Sequence, residues 1–286
     1  MTKRRDFIKS MAFGAFVLGN EDLLLRKAAK MKIGLVTYQW GKDWDLPTII
    51  RNCEKSKVLG VELRTLHKHG VEPSLNAVQR QEVKKRFADS RVTLLGYGSN
   101  TEFDSPYPAV LKKNIDDAKA LLQLSYDVGG SGVKVKPNKF HKDIPHEQTL
   151  EQIGKALNEL GRFADDLNQQ VRLEVHGPGT QELPNIKAIM DVADHPRVAV
   201  CWNCNPTDMS GNGFEYNFNL VKDRLGSTIH IHEMNEGGYP CEQLVELLAK
   251  QQYSGWLLLE CVSEHADNVK AMQEQRILWE KLIARR

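Results

Sequence analysis

No uninterrupted apolar stretch in the sequence approaches the roughly 18 residues that a transmembrane helix requires, so stable membrane insertion is not expected. The sequence also lacks an excess of charge of either sign, since its 286 residues include 39 Lys and Arg against 37 Asp and Glu. Residues 1–30 hold seven basic and three acidic residues, which leaves the rest of the chain close to neutral. A near-neutral body argues against nucleic acid as a partner.

Cysteine is scarce, and the five present are an odd number, which argues against a disulfide framework. Cys201 and Cys204 form a C-x-x-C pair, but a structural zinc site would need a second such pair, and the sequence has none. Also missing is a G-x-G-x-x-G turn after the first predicted strand, where the chain reads TYQWGKDW. Dinucleotide-binding sheets carry that turn, so its absence disfavours a doubly wound open sheet.

The N-terminus reads MTKRRDFIKSMAFGAFVLGN, with Arg4 and Arg5 followed by Phe7, Ile8 and Lys9 and then by a short apolar run. This pattern resembles a twin-arginine export signal. We therefore expect residues 1–30 to be a leader and the protein to be periplasmic. The alternative is a solvated basic tail on a cytoplasmic protein. Either way, fold prediction starts at residue 31, and residues 31–286 are expected to form one catalytic domain.

From residue 31 onward, short β-rich apolar runs alternate with amphipathic stretches. Eight strands alternating with eight helices in this length predict an α/β fold of the single (β/α)₈ TIM-barrel type. The predicted strands are 32–38, 60–65, 91–97, 131–136, 171–176, 197–203, 228–232 and 255–260. The predicted helices are 46–58, 74–88, 108–127, 147–168, 184–193, 216–224, 241–251 and 265–284.

Four consecutive predicted strands end in side chains that could bind a metal. Alternation along each strand turns Glu174, Asn203, His232 and Glu260 into the barrel, at the carboxyl ends where barrel enzymes build their active sites. A single glutamate at a rim is usually a salt-bridge partner, but inward charges on several strands are costly unless they are paired or metal-bound. Two carboxylates, an imidazole and an amide oxygen suit Mn²⁺, Mg²⁺, Co²⁺ or Zn²⁺, and we predict a divalent metal site.

The motifs LEVHG, CWNCNPTD, TIHIHE and GWLLLE give the chain, from about residue 31 to 284, a resemblance to the xylose isomerase-like superfamily. More narrowly, it resembles the sugar phosphate isomerase/epimerase group. This resemblance implies a divalent cation held by Glu, Asp, His and Glu on strands 5 to 8. Glu174, His232 and Glu260 match that pattern, whereas Asn203 stands where Asp is usual. The substitution removes one negative charge, which Asp208 could restore.

The resemblance further implies that Glu174 and Glu260 are the catalytic acid and base. They would move a proton next to the carbonyl of a sugar or sugar derivative through a metal-stabilised enediolate, giving isomerisation or epimerisation. One alternative is a lyase or hydratase acting on oxidised keto-sugars or keto-glycosides at the same site. Another is a non-catalytic carbohydrate-binding barrel whose metal site has decayed, as Asn203 would suggest.

Further inward or rim residues are candidates for binding a small-molecule carbohydrate. Arg, Lys and His would suit an electron-rich or acidic sugar, and aromatic rings near the strand ends could support it. An internal network that pairs Glu62 with Lys134, or Arg64 with a glutamate, is the alternative. A homodimer is also expected. The substrate-binding candidates are Tyr38, Trp40, Glu62, Arg64, His67, Lys134, Lys136, His176, Asn205, Asp208 and His230.

Overall fold

The computed structural model describes residues 31–235 and 238–284, so the expected leader lies outside the described residues. Eight parallel strands form one sheet in the order β6-β5-β4-β3-β2-β1-β8-β7. Each strand is followed by a helix and pairs with its neighbours in parallel, as the alternation of the sequence predicts. The strands are β1 (Lys32–Val36), β2 (Gly60–Arg64), β3 (Thr93–Glu102), β4 (Gly132–Lys136), β5 (Gln170–Glu174), β6 (Val198–Cys201), β7 (Thr228–Ile231) and β8 (Trp256–Leu259).

The sheet curls into a barrel in which the first and last strands of the order, β6 and β7, are only partly paired. The gap between these two strands is called the seam. Two isolated parallel bridges, Val200 with Leu225 and Asn203 with His230, span this seam in place of a continuous ladder. The backbone N–H of His230 donates to the carbonyl of Trp202 at 2.7 Å. The barrel is therefore nearly closed, and Asn203 lies at the point where it closes.

In the described part of the chain, eight α-helices surround the barrel, and local sequence signals mark several of their ends. Asp45 caps the first helix by accepting a hydrogen bond from the backbone N–H of Thr48, and Asn76 forms a capping box with Gln79 at the second. The helices are α1 (Leu46–Ser56), α2 (Ala77–Ala88), α3 (Pro108–Asp127), α4 (His146–Asp166), α5 (Leu183–Val192), α6 (Phe214–Val221), α7 (Cys241–Lys250) and α8 (Asn268–Ala284).

The strands separate two different interiors. Residues such as Leu173, Ile229 and Ile231 point outward and join the large apolar core between strands and helices. In the lumen, apolar side chains form only a small cluster of Val36, Leu95 and Leu258. The space above that cluster is occupied by charged side chains. The inward face therefore carries the polar groups at the carboxyl ends of the strands.

The (β/α)₈ prediction is confirmed, while some element bounds differ from the expected ones. Strand β3 continues to Glu102, beyond the expected end at residue 97, and it pairs there with Lys136 of β4. The expected helix 216–224 is α6 followed by a short 3₁₀ turn, Lys222–Arg224. Among residues 31–235 and 238–284, no helix has both the length and the apolar character that crossing a bilayer would take.

Candidate active site at the carboxyl ends of the strands

A cavity of about 250 Å³ opens at the carboxyl ends of the strands. It brings together all four predicted metal ligands and five of the predicted substrate-binding residues. The lining residues are Tyr38, Arg64, Lys136, Glu174, His176, Gln181, Asn203, Asn205, His232, Glu260 and Val262. Side chains separated by up to 224 positions in the sequence therefore share one small polar space.

Glu174, the last residue of β5, is buried and hydrogen-bonded on both carboxylate oxygens. Oε2 accepts from Nζ of Lys134 at 2.8 Å, and Oε1 lies 3.2 Å from Nδ1 of His230. Burial alone would raise the pKa of Glu174, but Lys134 and His230 hold it well below its ordinary value. The carboxylate is thus ionised throughout the physiological range.

Glu260 directly follows β8 and faces Glu174 across the cavity floor. Its Oε2 lies 3.1 Å from Nδ1 of His230, and its Oε1 lies 3.6 Å from a guanidinium nitrogen of Arg64. Although burial and the charge of Glu174 oppose ionisation, His230 and Lys134 lower the pKa of Glu260. The two carboxylates of the cavity are therefore linked through a single imidazole.

That imidazole belongs to His230, which is fully buried beneath the cavity. Nδ1 contacts Glu174 and Glu260, while Nε2 lies 3.0 Å from Oε1 of Glu62. Burial alone would lower the pKa of His230, but its neighbours Cys201, Glu260 and Glu62 raise it well above the ordinary value. Because both ring nitrogens face carboxylates, the site favours the charged form of the ring, in which each nitrogen carries a hydrogen.

Further down the lumen, the same charged network continues to Glu62 and Arg172. The Arg172 guanidinium lies 3.9 Å from Oε2 of Glu62 and donates to the carbonyl of Leu95 at 3.0 Å. Gly98 makes room for this network, because a Cβ there would lie 2.7 Å from Oε1 of Glu62. The lumen is therefore a packed column of alternating charges in which each group has a partner of opposite sign.

Six predicted substrate-binding residues lie outside the cavity lining. Glu62, Lys134 and His230 are buried in the column beneath it, where Lys134 pairs with Glu174 and Glu62 with His230 rather than with each other. Trp40 is buried and donates from Nε1 to the carbonyl of Ser263. His67 lies in the half-buried loop after β2.

Asp208, the sixth of these residues, is a structural group of the loop after β6. Its Oδ2 accepts from the hydroxyl of Tyr239 at 2.6 Å and from the backbone N–H of Asn205 at 3.0 Å. Burial raises the pKa of Asp208 to about 7. Because Asp208 does not line the cavity, it does not restore there the charge that Asn203 lacks.

Sequence reasoning missed three residues that shape the site. Arg172 lies two positions before Glu174 on the same strand, so strand alternation could have placed it in the lumen. Val262, two positions after Glu260, could have been found in the same way. Gln181 lies in the loop between β5 and α5, where no periodic signal exists.

The donor groups at the cavity fit a divalent cation. Carboxylate oxygens of Glu174 and Glu260 lie within 4.8 Å of each other, which is close enough for both to bind one ion. Oδ1 of Asn203 is buried and has no hydrogen-bond partner among the described residues, which leaves an oxygen donor at the cavity wall. Since the nitrogens of His230 are engaged by three carboxylates, His232 is the imidazole of the four predicted ligands that reaches the cavity itself.

A parallel eight-stranded barrel with a polar cavity at the carboxyl ends of its strands has the architecture of the (β/α)₈ enzymes. A model of the family described as xylose isomerase-like TIM barrel matches residues 50–282, and the chain belongs to this family. No curated protein sequence is significantly similar to the chain.

Solved structures with a similar fold include several sugar epimerases. The apo form of the 3-keto-D-glucoside 4-epimerase YcjR from E. coli is 15% identical, with a TM-score of 0.74, 88% of this chain covered and 99% of that chain. An L-ribulose 3-epimerase is 14% identical, with a TM-score of 0.76 and coverages of 89% and 96%. The IolI protein with a bound zinc atom is 14% identical, with a TM-score of 0.74 and coverages of 89% and 99%.

Proposed function

We propose that the protein is an isomerase or epimerase that moves a proton next to the carbonyl group of a sugar or sugar derivative. The observation that carries this proposal is the pair of carboxyl groups of Glu174 and Glu260, which line one cavity and share the buried ring of His230. Two carboxylates held at a single small cavity are suited to acid–base work on one substrate carbon.

In this proposal, one carboxylate accepts the proton from the carbon beside the carbonyl. The other, once it has taken a proton from solvent, delivers that proton to the opposite face of the carbon or to its neighbour, and the first carboxyl group then returns its own proton to solvent. Delivery to the same carbon inverts its configuration, whereas delivery to the neighbour exchanges an aldose and a ketose. Glu174 and Glu260 are both held by His230, so their relative position is fixed before the substrate arrives.

Two cationic side chains at the cavity wall suit the negative charge that develops on the carbonyl oxygen. Arg64 is oriented by the side-chain oxygen of Asn100 at 2.9 Å and by the ring of Tyr38, whose centroid lies 5.3 Å from its guanidinium carbon. Lys136 lines the same cavity, and burial lowers its pKa. Fixed positive groups in a largely buried site stabilise an oxyanion more strongly than they would in water.

A divalent cation would be held by Glu174, Asn203, His232 and Glu260, which all line the cavity. When bound, such an ion supplies Lewis-acid polarisation of the substrate carbonyl. Asn203 contributes an oxygen without a charge, so these four side chains offer two negative charges rather than three. The similar fold of the sugar epimerases, and of IolI with its zinc atom, supports both the reaction class and the metal.

The proposal is tested by incubating the full chain in D₂O with a panel of ketoses and keto-glycosides and following deuterium incorporation by mass spectrometry. We expect exchange in the wild type and a loss of at least about a hundredfold in Glu174→Gln and in Glu260→Gln, because each change removes a base and keeps the volume. Both variants should also bind less divalent metal, as measured by elemental analysis of proteins purified in parallel.

The matched control is Glu151→Gln, which changes an exposed glutamate of α4 paired with Lys155. This variant should exchange deuterium and bind metal as the wild type does. Release of a substituent with formation of an unsaturated product would assign the site to a lyase instead. Absence of exchange with every substrate, together with tight sugar binding, would support the non-catalytic barrel and overturn the proposal.

A further inference from the structure

A second cavity of about 470 Å³ lies beside the first, and its lining is mainly apolar. Pro206 and Met209 come from the 3₁₀ turn after β6, Tyr239 and Cys241 from the start of α7, and Val262 from the segment after β8. Met209 is 42% exposed and Val262 is 58% exposed, so apolar surface is left facing solvent at its edge. Such a surface beside a polar site suits an apolar ligand group.

The two cavities are adjacent, because His232 and Val262 line both of them. A ligand held by the carboxylates of the first cavity could therefore extend past His232 into the second. The first cavity measures about 250 Å³ and the second about 470 Å³, so the second offers room beyond that of the first site alone.

Two polar side chains in the wall of the second cavity, Tyr239 and Glu233, are hydrogen-bonded within the protein. The hydroxyl of Tyr239 donates to Asp208 at 2.6 Å and accepts from Nε1 of Trp202 at 3.0 Å. The carboxylate of Glu233 accepts from the backbone N–H groups of Val262 and Ser263 and from the hydroxyl of Ser263. These groups hold the wall in place and leave mainly apolar contacts for a ligand.

We propose that the second cavity is a subsite for the apolar aglycone of a glycoside, so that the substrates of this protein are keto-glycosides with an aromatic or alkyl substituent rather than free monosaccharides. The proposal rests on the proposed function, because the first cavity must hold the sugar ring. A second copy of the chain covering Met209 and Val262 is the competing occupant, and the experiment distinguishes the two.

The experiment measures equilibrium binding of phenyl β-D-glucopyranoside and methyl β-D-glucopyranoside to the full chain by isothermal titration calorimetry. We expect the phenyl glycoside to bind about tenfold more tightly, because the second cavity removes part of its ring from water. Met209→Asp, which places a charge at the cavity edge, should abolish this preference. Met209→Leu should retain it.

Val110→Asp is the matched control, because Val110 is an apolar residue of α3 that is 45% exposed and lies outside both cavities. It should leave the preference unchanged, and unchanged melting temperatures would show that all variants fold. Equal affinity for the two glycosides, no binding of either, or a preference that survives Met209→Asp would each overturn the subsite. Loss of a dimer in Met209→Asp by sedimentation, with the preference intact, would assign this surface to a contact between copies.

This measurement separates the two proposals because it involves no turnover. A phenyl preference without deuterium exchange would leave the subsite standing and sink the proposed reaction. Deuterium exchange into ketoses without a phenyl preference would support the proposed reaction and overturn the subsite.

Discussion

At the scale of single residues, the site depends on buried charges that neutralise one another. Lys134 and Glu174 form an ion pair at 2.8 Å with side chains that are almost completely buried. A pair of this kind gains little over an apolar pair of the same volume, because both ions lose their hydration. Removing one partner is much more costly, because the other remains as an unpaired charge in the protein interior.

Replacing Lys134 with Met should therefore destabilise the fold strongly. We expect a loss of about 3–5 kcal/mol in the free energy of unfolding, measured by urea denaturation at pH 7. Lys119→Met provides the control, because the pair of Lys119 with Glu159 is partly exposed and should contribute less than about 1 kcal/mol. Equal losses in the two variants would show that the lumen pair is not energetically distinct.

Asp208 predicts a specific dependence of stability on pH. Its pKa is raised to about 7 in the folded protein, against 3.8 for the ordinary group. The folded state therefore binds more protons than the unfolded state between these values, and the contribution of Asp208 to stability falls as pH rises through this window. Asp208→Asn should remove that fall, because the amide oxygen still accepts from Tyr239 and Asn205.

The measurement is the difference in unfolding free energy between Asp208→Asn and the wild type from about pH 4 to about pH 7. This difference should shift in favour of the variant by up to roughly 4 kcal/mol over the window. Asp165→Asn is the control, since hydrogen bonding to Arg197 lowers the pKa of exposed Asp165 and moves its effect below this range. A flat difference would show that Asp208 is ionised in the folded protein well below pH 7.

At the scale of elements, most of the barrel could be predicted because strand and helix periodicities are strong and local. The turn of Glu174 and Glu260 into the lumen followed from alternation along β5 and from the last residues of β8. The extension of β3 to Glu102 could not be predicted in this way. It depends on pairing with Lys136 of β4, which is a tertiary contact, while Gly96, Gly98 and Asn100 disfavour a strand locally.

The sequence also could not show which inward residues line the cavity and which are buried in the column beneath it. His230 and His232 have the same strand parity, so alternation alone could not separate the buried imidazole from the one at the cavity. The separation arises from depth along the barrel axis, which depends on how far each strand is shifted relative to its neighbours. Lys134 and Lys136 are divided in the same way, with Lys134 bound to Glu174 and Lys136 at the cavity wall.

At the scale of the whole molecule, the expected export signal remains a prediction, because residues 1–30 lie outside the described residues. Replacing Arg4 and Arg5 together with Lys should keep the protein in the cytoplasm, since the twin-arginine pathway reads that pair. Cell fractionation with immunoblotting measures the outcome. Arg26→Lys is the control and should leave export intact. A wild-type protein confined to the cytoplasmic fraction would contradict the prediction.

The column of charges in the lumen has a consequence for how the whole barrel responds during a reaction. The charged side chains of the column are held by one another and by backbone carbonyls, on strands that are paired in one sheet. They are Glu62, Arg64, Lys134, Arg172, Glu174, His230 and Glu260. Water would have to reorient its dipoles each time a proton moved, whereas these groups already point in fixed directions. The charged groups of the lumen are thus already oriented in the folded protein. Little energy is needed to reorient them when charge moves in the cavity above.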